Sequence, residues 1–288
     1  MDKEVFAGGV AVITGAGSGL GAGLARRAAE LGMRIVAVDI SKPGLEAIAA
    51  DIRARGAEAL TIAADVSKAD ELDRVAAQVH ESWGDVRLLI NNAGIETIGF
   101  TWEIPAARWD QTLNININGI IHGVRAFAPR MLEVGKPAYI ANLASIGAFG
   151  VMPAQTAYIV TKHAIQAFSE CLYLEMELSG KPIHVSSVIP GMVRTNIFAE
   201  APAAAGEAPH AKAHRKYMRE MMAAYGMDLA DASKVILEQI AKGEFWVSTQ
   251  PEMTRDMIAG RIAFLSGQTR PPLAEQARAI IEGSKSAS

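Results

Sequence analysis

The chain has 288 residues, of which 50% are apolar and 20% charged, and its 28 basic and 31 acidic side chains nearly cancel. That length buries a full core in one α/β domain, and the near-neutral balance excludes a nucleic-acid binder, which needs a basic excess to neutralise phosphates. The single cysteine, Cys171, excludes an intrachain disulfide and a cysteine-based metal site; in its apolar helical stretch it reads as a small buried hydrophobe.

The opening residues, Met1-Asp2-Lys3-Glu4, lead into a glycine-rich strand rather than a basic then apolar leader. No apolar run approaches the about 18 residues of a membrane span. The expectation is a soluble cytoplasmic protein with no membrane or nucleic-acid partner. Buried parallel strands are predicted at Val10 to Thr14, Arg34 to Asp39, Ala59 to Ala64, Val86 to Asn91, Ala138 to Leu143 and His184 to Ile189. Helical periodicity fills the intervals Gly19 to Leu31, Pro43 to Arg55, Lys68 to Ser82, Arg108 to Met131 and Ala157 to Leu178. Repeated strand–helix units with right-handed crossovers give a Rossmann-type doubly wound parallel sheet, a single domain over 1–288. Ala201 to Ala213 reads as a loop inside that domain, and Ser284 to Ser288 as a disordered tail. The basic stretch from Lys212 to Arg219 reads as a solvated helix face.

Ligands of such sheets bind beyond the carboxyl ends of the strands. The first strand runs into Thr14-Gly15-Ala16-Gly17-Ser18-Gly19-Leu20-Gly21. Glycines there let the chain turn, bring backbone N–H groups to a pyrophosphate and seat the helix on the strand, while the helix N-terminus adds its dipole. Asp39 ends the second strand, 18 residues beyond Gly21. Its carboxylate can accept bonds from both adenosine ribose hydroxyls and would repel a 2′-phosphate. Ser18, Ile40 and Ser41 supply no cation to offset that, so NAD is favoured over NADP. A turn or helix-capping role is the bland alternative for Asp39.

Tyr158 and Lys162 stand four apart on one helix face. A neighbouring ammonium and a bound pyridinium cation favour the phenolate, so Tyr158 could exchange a proton with an alcohol oxygen. Ser145, 13 residues earlier at a strand end, can hold the reacting oxygen. Asn116, in Asn116-Ile117-Asn118-Gly119, can bend its helix and hold a water beside Lys162. Asn118 competes for that role, but Trp109 lies seven residues before Asn116.

In this order the motifs resemble the single-domain short-chain dehydrogenase/reductase family from Val10 to Thr195. They are the glycine loop, Asp65-Val66, Asn91-Asn92-Ala93-Gly94, Asn116 to Gly119, Ser145, Tyr158 with Lys162, and Pro190-Gly191-Met192-Val193-Arg194-Thr195. Trp109 sits where the family pattern expects it. The resemblance implies that Asp65 and Val66 contact adenine, that Asn91 to Gly94 steady the central strand, and that Thr195 binds the carboxamide. Through the same motifs it extends the cofactor set to Leu20, Ile40, Asn92, Ala93, Gly94, Pro190, Gly191 and Val193, beside Gly15, Gly17, Ser18, Gly19 and Gly21. It also implies a substrate lid over about 195–227 and pairing of long helices into a homodimer or homotetramer. A pocket of Ile95, Ile146, Val151, Met152, Met192 and Phe198 would take an apolar alcohol or ketone, aryl or alicyclic by loose similarity of the C-terminal layout.

The family's usual ending is absent: Glu244 to Glu252 supplies a last strand and a proline turn before an atypical extension over about 250–288. Three competing enzyme readings are an NADPH-dependent carbonyl reductase, disfavoured by Asp39, the epimerase branch, disfavoured by the glycine spacing, and a metalloenzyme, disfavoured because the 6 histidines show no paired ligand spacing. His122, His163 and His184 read as structural. A catalytically silent NAD sensor would be expected to lose Tyr158, Lys162 or Ser145, and all are present.

Overall fold

Strands made almost wholly of Val, Ile, Leu and Ala cannot face water on either side, so each must lie inside a sheet covered twice. The structure, a computed structural model, describes residues 2–199, 208–275 and 277–279. Seven strands, β1 (Val10–Thr14), β2 (Arg34–Asp39), β3 (Ala59–Ala63), β4 (Val86–Asn91), β5 (Ala138–Leu143), β6 (Ile183–Ile189) and β7 (Trp246–Ser248), form one sheet. Their order is β3-β2-β1-β4-β5-β6-β7, and every pair is parallel.

The helices are α1 (Asp2–Phe6), α2 (Gly19–Glu30), α3 (Lys42–Ala54), α4 (Ala69–Trp83), α5 (Ala106–Leu113), α6 (Gly119–Val134), α7 (Thr156–Ser179), α8 (Pro209–Tyr225), α9 (Leu229–Ala241) and α10 (Pro251–Gly267). On one face of the sheet Leu24, Ile48 and Ile236 bring α2, α3 and α9 onto Ile13 and Ile35. On the other, Val75, Phe127 and Leu172 bring α4, α6 and α7 onto Val12, Leu89 and Ile140. Chain order reverses between β1 and β4, so a crevice opens at their carboxyl ends, where α2 and the β4 exit part.

Five expectations are corrected. The helix expected from Arg108 to Met131 is three pieces: α5 and α6 are joined by a wider π-helical turn, Asn114–Asn118. In the span expected to be a loop, residues 209–213 open α8, while 201–207 lie outside the described residues, as does the tail at 284–288. Pro251 starts a 17-residue helix instead of a turn, since a proline in the first turn forfeits an N–H that would be unbonded anyway. Cys171 is exposed, not buried; with Leu174 and Leu178 it lies on an outward face of α7. Arg215 departs from the solvated face of its basic stretch and turns into the interior cavity. Among the described residues, no helix is long and apolar enough to cross a membrane.

Candidate active site

Gly15 leaves β1 with φ +66°, and a Cβ added there would fall 2.8 Å from the Ala93 backbone. Gly21, on the first turn of α2, is tighter still: its Cβ would lie 2.1 Å from the Gly15 carbonyl oxygen. These approaches let the loop fold against the helix start. Ser18 makes no capping bond to α2, which leaves the first-turn N–H groups available to a ligand. A glycine cradle with open donors at a helix N-terminus fits a dinucleotide pyrophosphate.

Thr14 joins this loop to the β4 exit. Its hydroxyl accepts from the N–H groups of Asn92 (3.0 Å) and Ala93 (3.1 Å), and the Asn92 amide donates back to the Thr14 carbonyl at 2.9 Å. Below it, Asn91 donates to Asn142 at 2.9 Å and Asn142 to Ser169 at 3.2 Å, a buried polar ladder across β4, β5 and α7. Asp39 takes the turn role that was its bland alternative. One carboxylate oxygen accepts from Gly17 N–H and the other from Ser41 N–H, each at 2.8 Å, yet the residue still borders the crevice, with lone pairs to spare.

A cavity of about 840 Å³ runs from this glycine loop to α8. Every residue expected to contact cofactor or substrate lines it except Gly17, Gly21 and Asn116. The first two sit behind the loop surface. Asn116 is wholly buried in the π-helical turn. It accepts from Ile95 N–H at 2.8 Å and donates to the Ile95 carbonyl at 2.9 Å and to the Thr161 hydroxyl at 3.2 Å. The wider turn is what directs this amide sideways, so Asn116 fastens the β4 exit to α7.

Tyr158, Lys162 and Ser145 converge on the cavity. The Lys162 ammonium donates to the Leu143 carbonyl at 2.8 Å and lies 5.3 Å from the Tyr158 ring centroid. Ser145 caps the 3-10 turn after β5, its hydroxyl accepting from Gly147 N–H at 3.1 Å. Burial pushes the Tyr158 phenol well above its ordinary value, the Glu96 carboxyl adds to that, and a hydrogen bond from Ser145 opposes it. Burial also brings Lys162 down to about 8. Without a cofactor, therefore, the phenol rather than the phenolate is the resting form, and burial outweighs the neighbouring ammonium.

Glu96 was not foreseen. It is 5% exposed, lines the cavity, and is pushed up to about 8 by burial. Gln155 and Thr97 N–H offset only part of that burial, and neither reaches good hydrogen-bonding geometry with the carboxyl oxygens. The one signal in the sequence was a carboxylate inside the short run Ile95-Glu96-Thr97-Ile98 directly after a strand exit. Arg108 and Arg215 also line the cavity unforeseen. Within the span expected to form the lid, Ile197, Phe198, Met218, Met221 and Met222 reach the cavity, whereas Tyr225 is exposed. A smaller cleft of about 240 Å³ lies at the opposite ends of the strands, around Arg34, Arg87 and Arg130, away from these groups. Among the described residues no cluster could hold a metal ion.

A family model described as short chain dehydrogenase matches residues 9–206. The chain belongs to the short-chain dehydrogenase/reductase family. A solved member from Burkholderia phymatum, in complex with NAD, superposes with a TM-score of 0.88 and 32% identity, covering 93% of this chain and 99% of that one. A 1-deoxy-11-beta-hydroxypentalenate dehydrogenase of Streptomyces avermitilis is 34% identical over 64% of this chain and 68% of its own length. A probable oxidoreductase EphD of Mycobacterium tuberculosis is 34% identical, but the chain spans only 31% of that protein. The family is one of oxidoreductases. The fold is what this short-chain dehydrogenase/reductase shares with the NAD-bound neighbour over nearly the whole length of both.

Proposed function

We propose that the protein is an NAD-dependent dehydrogenase of a bulky, largely apolar secondary alcohol, acting equally as a ketoreductase in reverse. The observation that carries this reading is that Ser145, Tyr158 and Lys162 share one cavity with a glycine-loop crevice bordered by Asp39. Asp39 accepts ribose hydroxyls and repels a 2′-phosphate, with Ile40 and Ser41 offering no cation in exchange. When bound, the nicotinamide supplies the hydride acceptor.

The protein's own residues do the rest. Ser145 holds the carbinol oxygen. Tyr158, as phenolate, takes the hydroxyl proton while the carbinol carbon gives up hydride, and the alcohol becomes a ketone. A cation beside the phenol opposes the upward push of burial, so Lys162, charged below about 8, matters most when the phenolate must form. Ile95, Ile146, Met152, Met192 and Phe198 exclude water from the reacting carbon, with Val151 at the rim. The Streptomyces relative, a dehydrogenase named for a hydroxylated substrate, supports an alicyclic carbinol. The reading extends to a homodimer or homotetramer formed through the outward face of α7, where Leu174 and Leu178 are exposed.

The test follows absorbance of the reduced nicotinamide with a panel of aryl, alicyclic and steroid secondary alcohols and either NAD or NADP. Turnover of a bulky alcohol with NAD is the expected result. Turnover with NADP alone would overturn the cofactor assignment, and NAD binding without turnover of any alcohol would favour a cofactor-sensing protein.

A further inference from the structure

Seven of the chain's 12 methionines line the cavity that holds Ser145 and Tyr158. Met152 and Met192 come from the loops beyond β5 and β6, and Met218, Met221 and Met222 from α8. The other two, Met253 and Met257, come from α10, the helix of the C-terminal extension. Thioether side chains are unbranched and polarisable, so a wall made of them adapts to apolar groups of varied outline.

Core packing does not hold α10 in place, since only Thr254 is buried in it. Polar bonds fix its first turn instead. Gln250 Oε1 accepts from Met192 N–H at 2.7 Å, and Thr249 Oγ1 accepts from Gly191 N–H at 3.0 Å. The hydroxyls of Ser248 and Thr254 meet at 2.8 Å. The helix is thereby tied to the exit of β6, and Met253 and Met257, four apart on one face, border the cavity. A Cβ on Gly150 would run into Met257 Cε, so the tip of Met257 lies over the loop that follows the Ser145 turn. Next to it in that loop, Phe149 packs on Trp246 at the start of β7, with ring centroids 5.8 Å apart. There the apolar wall opens to solvent, with Met257 37% and Val151 59% exposed.

We propose that α10 is a specificity wall, on which Met253 and Met257 take the far end of a substrate whose apolar frame runs from the carbinol past Gly150 and Val151 as an extended alkyl or cycloalkyl substituent. A small alcohol leaves those half-exposed side chains in water. A longer one covers them and gains the hydrophobic contribution of each methylene it buries there. A charged substituent would lose its hydration against the thioethers with nothing to replace it. This inference rests on the alcohol dehydrogenase reading above and narrows its substrate class.

The test titrates the enzyme calorimetrically with 4-methyl-, 4-propyl- and 4-pentylcyclohexanone in the presence of NAD, because a ketone and the oxidised cofactor cannot react. Affinity is expected to rise about three- to fourfold per added methylene. Met257→Gln keeps the side-chain length but makes its end polar, and should bring that factor close to one. Gly150→Ala, which displaces the Met257 tip, should do the same. Ile262→Gln, on an exposed part of α10 outside the cavity, should leave the increment intact. With isotope-labelled methionine methyls read by NMR, the Met253 and Met257 signals, assigned through Leu substitutions, should move with the pentyl ketone and stay in place with the methyl ketone. An affinity independent of chain length, an increment that survives both Met257→Gln and Gly150→Ala, or signals that do not move would overturn the wall. Oxidation of the matching 4-alkylcyclohexanols is assayed in parallel. No oxidation, with the increment and the signal shifts intact, would remove the dehydrogenase reading and leave the wall standing. Turnover with no chain-length increment would do the reverse.

Discussion

Tyr158 and Glu96 occupy one buried pocket in which each opposes the other's charge. The phenol is driven up first by burial and then by the Glu96 carboxyl, so a protonated Glu96 makes the phenolate easier to form. Tyr158→Phe removes the proton acceptor without emptying the space, and kcat should fall by roughly 10²–10⁴-fold while NAD affinity holds. Unchanged turnover in that variant would reassign the proton transfer. Glu96 also writes a signature on stability. Between its ordinary value of 4.5 and its folded value of about 8, the native state holds a proton that the unfolded chain has lost. Its stabilising contribution is therefore greatest at low pH and declines as pH rises through that window. His214 has the opposite sign, since burial lowers it from 6.5 to about 4 and stability is lost as pH falls through that range. The interval from about 6.5 to about 7 is left to Glu96, because Lys162, lowered to about 8, begins to lose its proton above it with the opposite sign. Thermal melts should show Tm falling across it in the wild type and nearly flat in Glu96→Gln; parallel slopes would mean that the carboxyl is already ionised in the native state.

Among the elements, the ones legible from sequence were those whose residues have one solution. Runs such as Val10 to Thr14 and Arg34 to Asp39, apolar on both faces and bounded by glycine or turn residues, can only be inner strands, and they begin and end where expected. The break between α5 and α6 was not legible, because helical periodicity continues unbroken through a π-helical turn whose extra residue per turn leaves no mark in composition. The α10 helix was missed for a similar reason: only Thr254 is buried in it, so no apolar stripe set its period. The Asn116 turn carries a measurable load. Its amide satisfies both the N–H and the carbonyl of Ile95 in a buried setting. Asn116→Ala would leave those groups unpaired, and urea unfolding should show a loss of about 2–4 kcal/mol at unchanged m-value. The loop from Ala93 to Glu96 would be freed with them, so turnover should fall as well. A loss below about 0.5 kcal/mol would mean that water replaces the amide.

For the whole molecule, sheet order dictates where a ligand can act. The crevice at the β1–β4 reversal is lined by the glycine loop and Asp39 from one side and by the exits of β4, β5 and β6 from the other. The cofactor end was legible because its backbone constraints demand particular residues, glycine where a Cβ would strike Gly15 or Ala93 and a carboxylate at the end of β2. The substrate end was less so, because Glu96, Arg108 and Arg215 come from three separate segments whose convergence no local pattern records. A cofactor that bridges the two sides binds only when both are folded, so its affinity adds to global stability. At about a hundredfold excess over Kd, NAD should stabilise by about 2.7 kcal/mol, which for a domain near this size raises Tm by about 5–10 °C. NADP at the same concentration should give a clearly smaller shift, because its 2′-phosphate meets Asp39. Asp39→Ala also loses the bonds to Gly17 and Ser41, so its melts are read relative to its own cofactor-free Tm. On that scale the NAD and NADP shifts should draw together. An undiminished preference for NAD in Asp39→Ala would mean that the ribose is read by another group lining the crevice, and a larger shift with NADP in the wild type would reverse the cofactor assignment itself.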